Sequence, residues 1–146
     1  MYRKQNLTYV LTMLEAIEKI FLYTQDIKDA DDFFTKNHQM PFNACQTLLL
    51  LIGEEVRKID EGLEAEHPEI PWHLIIGLRN RIAHDYRSID PNISYDIVIN
   101  YLPALKQTLI EMIPKIEFED ELMERILSSD FYQNIGYLRD KGSGRK

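Results

Sequence analysis

Arg79, Asn80, Arg81, His84, Tyr86 and Arg87 fall within one stretch of nine residues. An arginine guanidinium grips phosphate with a planar fork and stays charged at any relevant pH. A histidine titrates near neutrality and can take or give a proton. The two types together suffice for phosphodiester cleavage in RNA without a metal. His84 would deprotonate a 2′-hydroxyl or protonate a leaving 5′-oxygen. Arg79 would stabilise the negative charge added to phosphorus in the transition state. Tyr86 offers a ring that can stack or a hydroxyl that can be modified. No metal constellation is evident, because the four histidines are scattered along the chain.

The elements that must position this set follow from the flanking residues. Pro68 and Pro71 stop one helix and open another, whose first half is apolar (Trp72, Leu74, Ile75, Ile76, Leu78) and whose end, near Tyr86, is polar. At about 100° per residue, Arg79 and Tyr86 share a helix face, whereas Arg79 and His84 stand about 140° apart. The pair therefore does not converge on an ideal helix. A helix end, a kink, or a second copy across a two-fold interface would close the angle. A bland reading stands beside the chemical one. His84 suits the negative end of a helix dipole, the three arginines suit pairing with Glu61, Glu64, Glu66 and Glu69, and Tyr86 suits a core ring with a wet hydroxyl. On spacing alone the bland reading is favoured, since an arginine and a histidine five apart recur by chance.

Composition narrows the classes. A chain of 146 residues with 45% hydrophobic and 28% charged residues fits one soluble domain with a real core. A net charge of −7 argues against broad coating of nucleic acid and leaves room for a small basic site. Cys45 stands alone, so neither an intrachain disulfide nor a cysteine zinc cluster is possible, and it reads as a small buried hydrophobe. No apolar run reaches membrane-span length, and the first residues lack the apolar core of a signal peptide. The expectation is a cytoplasmic protein.

The remaining elements are helical throughout. Leu7, Val10, Leu11, Leu14, Ile17, Ile20 and Phe21 set one buried stripe, predicting a helix over 6–24. Asp29 is placed to cap a short helix carrying Phe33 and Phe34, and Asn37-His38-Gln39 reads as a connection with His38 exposed. A central helix is predicted from Pro41 or Asn43 to near Glu66, with Phe42, Cys45, Leu48, Leu49, Ile52, Val56, Ile59 and Leu63 inward. Gly53 predicts close packing against another backbone. Glu54 and Glu55 read as two surface acids, one of them able to face the basic site. A further helix over 93–113 has Ile97, Val98, Tyr101, Leu102, Leu105, Leu109 and Met112 inward, with a kink or restart at Pro103. A charged fifth helix is predicted over 116–133. The domain expectation is a bundle over 1–114, a helical extension over 115–139 and a flexible tail over 140–146. The fold class is all-α, an antiparallel bundle of four to five helices.

Ile52-Gly-Glu-Glu, His67-Pro-Glu-Ile-Pro-Trp and Gly77-Leu-Arg-Asn-Arg-Ile-Ala-His-Asp-Tyr, in that order, resemble the HepT family of the HEPN superfamily (higher eukaryotes and prokaryotes nucleotide-binding). The family hallmark R-x4-H-x-Y is matched by Arg79, His84 and Tyr86, and Leu102-Pro-Ala-Leu also fits, so the resemblance covers roughly residues 6–113. It implies a homodimer that brings two motifs to one cleft. It implies a metal-independent endoribonuclease with Arg79 and His84 catalytic, no cofactor, and Asn80, Arg81 and Arg87 in support or in RNA binding. It also implies the toxin of a type VII toxin–antitoxin pair. The partner would be a minimal nucleotidyltransferase (MNT) antitoxin that transfers AMP to Tyr86. The alternative is a helical module that binds nucleotide, RNA or the nucleotidyltransferase without cutting. A purely structural bundle ranks last.

Overall fold

The computed structural model describes residues 1–140. Four long elements carry the core: α1 (Gln5–Thr24), α2 (Ala30–Val56), α4 (Trp72–His84) and α6 (Leu102–Met112). Shorter helices α3 (Glu61–Ala65), α5 (Pro91–Asp96) and α7 (Asp120–Leu127) fill the connections. α2 lies at the centre, packed on α1 along one side and on α4 and α5 along another. The all-helical expectation holds. No strand is present among the described residues, only a parallel bridge between Tyr2 and Ile116 that ties the N-terminus to the chain after α6.

The stripe on α1 is buried as its spacing requires, with Leu7, Val10, Leu11, Leu14, Ile17 and Ile20 wholly enclosed. Asp29 caps α2, its side chain accepting from the Asp32 backbone N–H at 2.8 Å. The connection expected at Asn37-His38-Gln39 is a sharp kink inside α2. Those three residues take left-handed backbone angles (φ 50°, 57° and 71°), and His38 is exposed. Three non-glycine residues in that region are locally costly. The aromatic packing of Phe34 and Phe33 on Phe42, centroids 5.0 and 5.7 Å apart, spans the kink and holds it.

Three boundaries depart from expectation. The central helix ends at Val56, not near Glu66. Asn6 and Arg3 break it from a distance. The Asn6 side chain accepts the Asp60 backbone N–H at 3.0 Å and donates to the Asp60 carboxylate at 3.0 Å, and Arg3 pairs with the same carboxylate at 2.5 Å. Ile59 and Leu63 stay buried beyond the break, so the apolar spacing survives while the helix does not. At the second boundary, the restart expected at Pro103 is present, and it comes with a widened turn ahead of the proline. Residues Ile97–Tyr101 form a π turn, and α6 restarts at Leu102. Pro103 has no N–H to donate and its ring crowds the carbonyl four residues back. The wider turn absorbs this and shifts the phase of the stripe. Val98, Leu102 and Leu105 reach the core, whereas Tyr101, predicted inward, is exposed. Third, the helix over 116–133 shrinks to Asp120–Leu127, followed by 3-10 turns at Asp130–Tyr132 and Gly136–Asp140.

The C-terminal extension packs on α1. The Asn134 backbone and side-chain amides donate to the buried Glu15 carboxylate at 2.9 and 2.6 Å, and the Tyr132 and Thr12 hydroxyls meet at 2.9 Å. Ile135 and Leu138 are fully buried. The tail expected over 140–146 lies outside the described residues apart from Asp140. No helix among the described residues is long and apolar enough to cross a membrane.

Candidate functional site

The site begins with a glycine. Gly53 is where α2 and α4 cross. A Cβ at this position would overlap the Arg79 Cβ, and it would fall 2.9 Å from the Arg79 Cγ and 3.3 Å from the Ile75 carbonyl oxygen. Close approach of another backbone, expected from sequence, is what the glycine permits. The crossing lays the root of Arg79 flat on α2 and sets the neighbouring Glu54 against its guanidinium.

Arg79 is consequently the least exposed of the motif's charged residues, with 19% of its side chain open. Its Nε pairs with the Glu54 carboxylate, and its Nη1 donates to the Asn80 side-chain oxygen at 2.9 Å. Nη1 is thus hydrogen-bonded, Nε is buried against the Glu54 carboxylate as an ion pair without a hydrogen bond, and Nη2 has no protein partner among the described residues. Of the two acids read as surface residues, Glu55 is corrected to buried, with Lys58 at 3.1 Å, and Glu54 takes the alternative of facing the basic site while remaining partly exposed. Arg79 does not pair with the Glu61–Glu69 patch either. Within that patch, Glu66 binds Lys115 at 2.9 Å and accepts from the Tyr2 hydroxyl. Glu64 is partly enclosed, and burial pushes its carboxyl up to about 7.

α4 runs unbroken to His84, which is exposed at its last position. The five-residue separation therefore keeps its ideal angle, with Arg79 turned onto α2 and His84 at the helix end. Arg81 and Arg87 are exposed and make no ion pair among the described residues. Asn80 orients Arg79 and is itself exposed. After His84 the backbone at Asp85 turns extended (φ −154°, ψ 77°) and a 3-10 turn carries Tyr86. The seven-residue helical arithmetic for Arg79 and Tyr86 therefore fails in its premise, yet both still reach α2. The Tyr86 ring packs edge-on against Phe42 at 6.0 Å, and its hydroxyl donates to the Asn43 side-chain oxygen. Burial raises the phenol's pKa. Asn43 reads in the sequence only as a possible helix start, and nothing there joins it to Tyr86. Cys45 is fully buried and its thiol is pushed up to about 12 by desolvation, as befits a core residue.

A groove of about 390 Å³ opens on the other side of α4, between that helix and the π turn. Leu74, Gly77, Arg81, Ile93, Ile97 and Tyr101 line it. Leu74 is 52% exposed, so the apolar first half of α4 is not all core. Among the described residues no group of three or more His, Cys, Asp or Glu side chains is placed to hold a metal ion.

Comparison with known proteins gives the family. Residues 13–112 match the family described as Ribonuclease HepT-like. This chain belongs to the HepT-like ribonuclease family. A protein of Methanocaldococcus jannaschii named a putative RNase is 32% identical over 121 residues, which is 83% of this chain and 98% of that one. A second from the same organism, also named a putative RNase, is 31% identical over 99 residues, covering 68% of this chain and 88% of that one. A protein of Thermococcus cleftensis named a probable ribonuclease HepT is 30% identical over 104 residues, covering 71% and 92%. No solved structure matches the chain to a significant degree. The HepT-like match contains α4, Tyr86, Asn43 and the Gly53–Glu54 crossing, and stops short of the extension that packs on α1.

Proposed function

We propose that this protein is a metal-independent endoribonuclease, the toxin of a pair whose antitoxin is a minimal nucleotidyltransferase. The observation that carries the reading is the state of Arg79 in a HepT-like chain. Its guanidinium is held at Nε and Nη1 with Nη2 free, one helical turn and a half from an exposed His84. A phosphodiester taken by Nη2 places its developing charge against a fixed cation. The 2′-oxygen attacks phosphorus as its proton passes to a base, the P–O5′ bond breaks, and the leaving 5′-oxygen takes a proton. The products are a 2′,3′-cyclic phosphate and a 5′-hydroxyl. His84 serves one of the two proton transfers and its counterpart in a second copy serves the other.

A homodimer supplies that second copy. The groove beside α4 is the surface we assign to it, because Leu74, Ile93 and Tyr101 are exposed there and Arg81 stands at its edge. A two-fold axis across this groove would bring the two His84 helix ends toward one cleft. In the control step, Tyr86 Oη displaces pyrophosphate from the α-phosphate of ATP, losing its proton and gaining AMP. The added charge and bulk would then exclude an RNA phosphate from Arg79. The exposed Tyr86 edge and its position on the same side of α4 as Arg79 support this. The test is cleavage of RNA by purified His84→Ala, which should fold normally and cut nothing. Undiminished cleavage would remove His84 from the mechanism.

A further inference from the structure

We infer that Glu54 is a positioning residue for Arg79, and that the Gly53–Glu54 step on α2 exists to aim the guanidinium. The inference rests on the ribonuclease reading above. It starts from the crossing of two helices. Gly53 lets α4 come close enough for the Arg79 Cβ and Cγ to lie on the α2 backbone. The next residue on α2, Glu54, then meets Nε, the nitrogen nearest the root of the side chain. The next residue on α4, Asn80, meets Nη1 at 2.9 Å. Each helix thus contributes one neighbour, and the two contacts engage different nitrogens.

A free arginine has several rotatable bonds and would lose that freedom on gripping a phosphate. A guanidinium with Nε buried against an ion-paired acid of one helix and Nη1 hydrogen-bonded to a residue of another has already lost much of it. What remains is Nη2, which has no protein partner among the described residues, as the donor for an incoming phosphate. Glu54 meets the group at Nε, from the α2 side. It also retains a second cation, Arg57, with Nη1 at 3.7 Å, and its side chain is 38% exposed, so Glu54 is not an isolated buried charge. The acid is assigned to geometry and not to the chemical step, since what it touches is Arg79.

The conservative and the disruptive substitution separate the roles. Glu54→Gln keeps a side-chain oxygen beside Nε; Glu54→Ala removes it. The full chain is assayed on a mixed-sequence RNA carrying a fluorophore and a quencher. Because an error of about 1 Å in a positioned group can cost on the order of 100-fold, Glu54→Ala is expected to lower kcat by about 10- to 100-fold. KM should change little, and Glu54→Gln should restore most of kcat. A Glu54→Ala variant with wild-type kcat, or a Glu54→Gln variant as impaired as Glu54→Ala at equal thermal stability, overturns the inference. A second readout does not require cleavage. The Arg79 Nε–H resonance, assigned by its loss in Arg79→Lys, should be shielded from solvent exchange in the wild type and in Glu54→Gln and lose that protection in Glu54→Ala. Protection unaffected by Glu54→Ala also overturns the inference. A wild type that shows the protected resonance but cuts no RNA refutes the ribonuclease reading and leaves the pairing of Glu54 with Arg79 intact.

Discussion

Gly53→Ala tests the α2–α4 crossing. In an exposed helix the change would stabilise by about 0.8–1 kcal/mol through backbone entropy. Here the new methyl lies 2.9 Å from the Arg79 Cγ and 3.3 Å from the Ile75 carbonyl oxygen, and it overlaps the Arg79 Cβ. Carbon–carbon contact is best at about 3.5–4.0 Å. A Cβ cannot swing aside as a side-chain tip can, because it is fixed to its own backbone. α4 must therefore move as a unit. Overpacking of this kind costs about 1–3 kcal/mol, which leaves a net loss of about 0–2 kcal/mol after the helix gain. For a chain of this size the midpoint of thermal unfolding should fall by up to about 8 °C. The displaced Arg79 should lower RNA cleavage by a larger factor than the stability loss explains. Circular dichroism melts and a cleavage assay on the same preparation check both. A Gly53→Ala protein that melts several degrees higher than wild type and cuts normally would refute the close crossing.

Three further outcomes follow from particular side chains. Burial holds the Glu64 carboxyl at about 7 when folded, against 4.5 for an unperturbed glutamate. The folded state thus binds more protons than the unfolded one between those values, and stability falls as pH rises through that window. Discounted for partial solvent access, the loss is about 1–2 kcal/mol, complete by pH 8; in urea titrations followed by Trp72 fluorescence, Glu64→Gln should abolish it, and an unchanged pH dependence would contradict the assignment. Gln46 is buried with neither amide atom bonded to protein among the described residues, so Gln46→Leu should be neutral or stabilise by about 1 kcal/mol in the same titration, whereas a loss above that would reveal a partner. Tyr86→Phe should cost at most about 1 kcal/mol through its bond to Asn43, and intact mass after co-expression with a nucleotidyltransferase should lack any AMP-sized addition carried by the wild type; additions that persist in Tyr86→Phe would move the modification elsewhere.

Much of the fold is local in origin, and that part was legible. The spacing of Leu7, Val10, Leu11 and Leu14 already implies the buried face of α1, and Asp29 implies the start of α2. The break after Val56 was not legible, because Ile59 and Leu63 keep the helical period while the cause, the grip of Asn6 and Arg3 on Asp60, comes from more than fifty residues away. A regular helix through residues 97–101 turns Tyr101 inward, whereas the π turn ahead of Pro103 shifts the phase and exposes it. At the site, the residue types of Arg79, His84 and Tyr86 were visible in order. Their surroundings were legible in part, since Gly53 announces a close approach and one of Glu54 and Glu55 is able to face the basic site. Glu54 gains its meaning from a helix crossing, and Asn43 from a kink that turns the second half of α2 beneath Tyr86. Such contacts depend on how elements meet, which neither periodicity nor capping encodes.

The most direct test of the account is RNA cleavage by the purified wild type in excess chelator, with the ends of the products identified. The account predicts an unchanged rate in chelator, 2′,3′-cyclic phosphate and 5′-hydroxyl ends, and no cleavage by His84→Ala under the same conditions. Cleavage that stops in chelator and returns with a divalent cation, or products bearing 5′-phosphates, would contradict it.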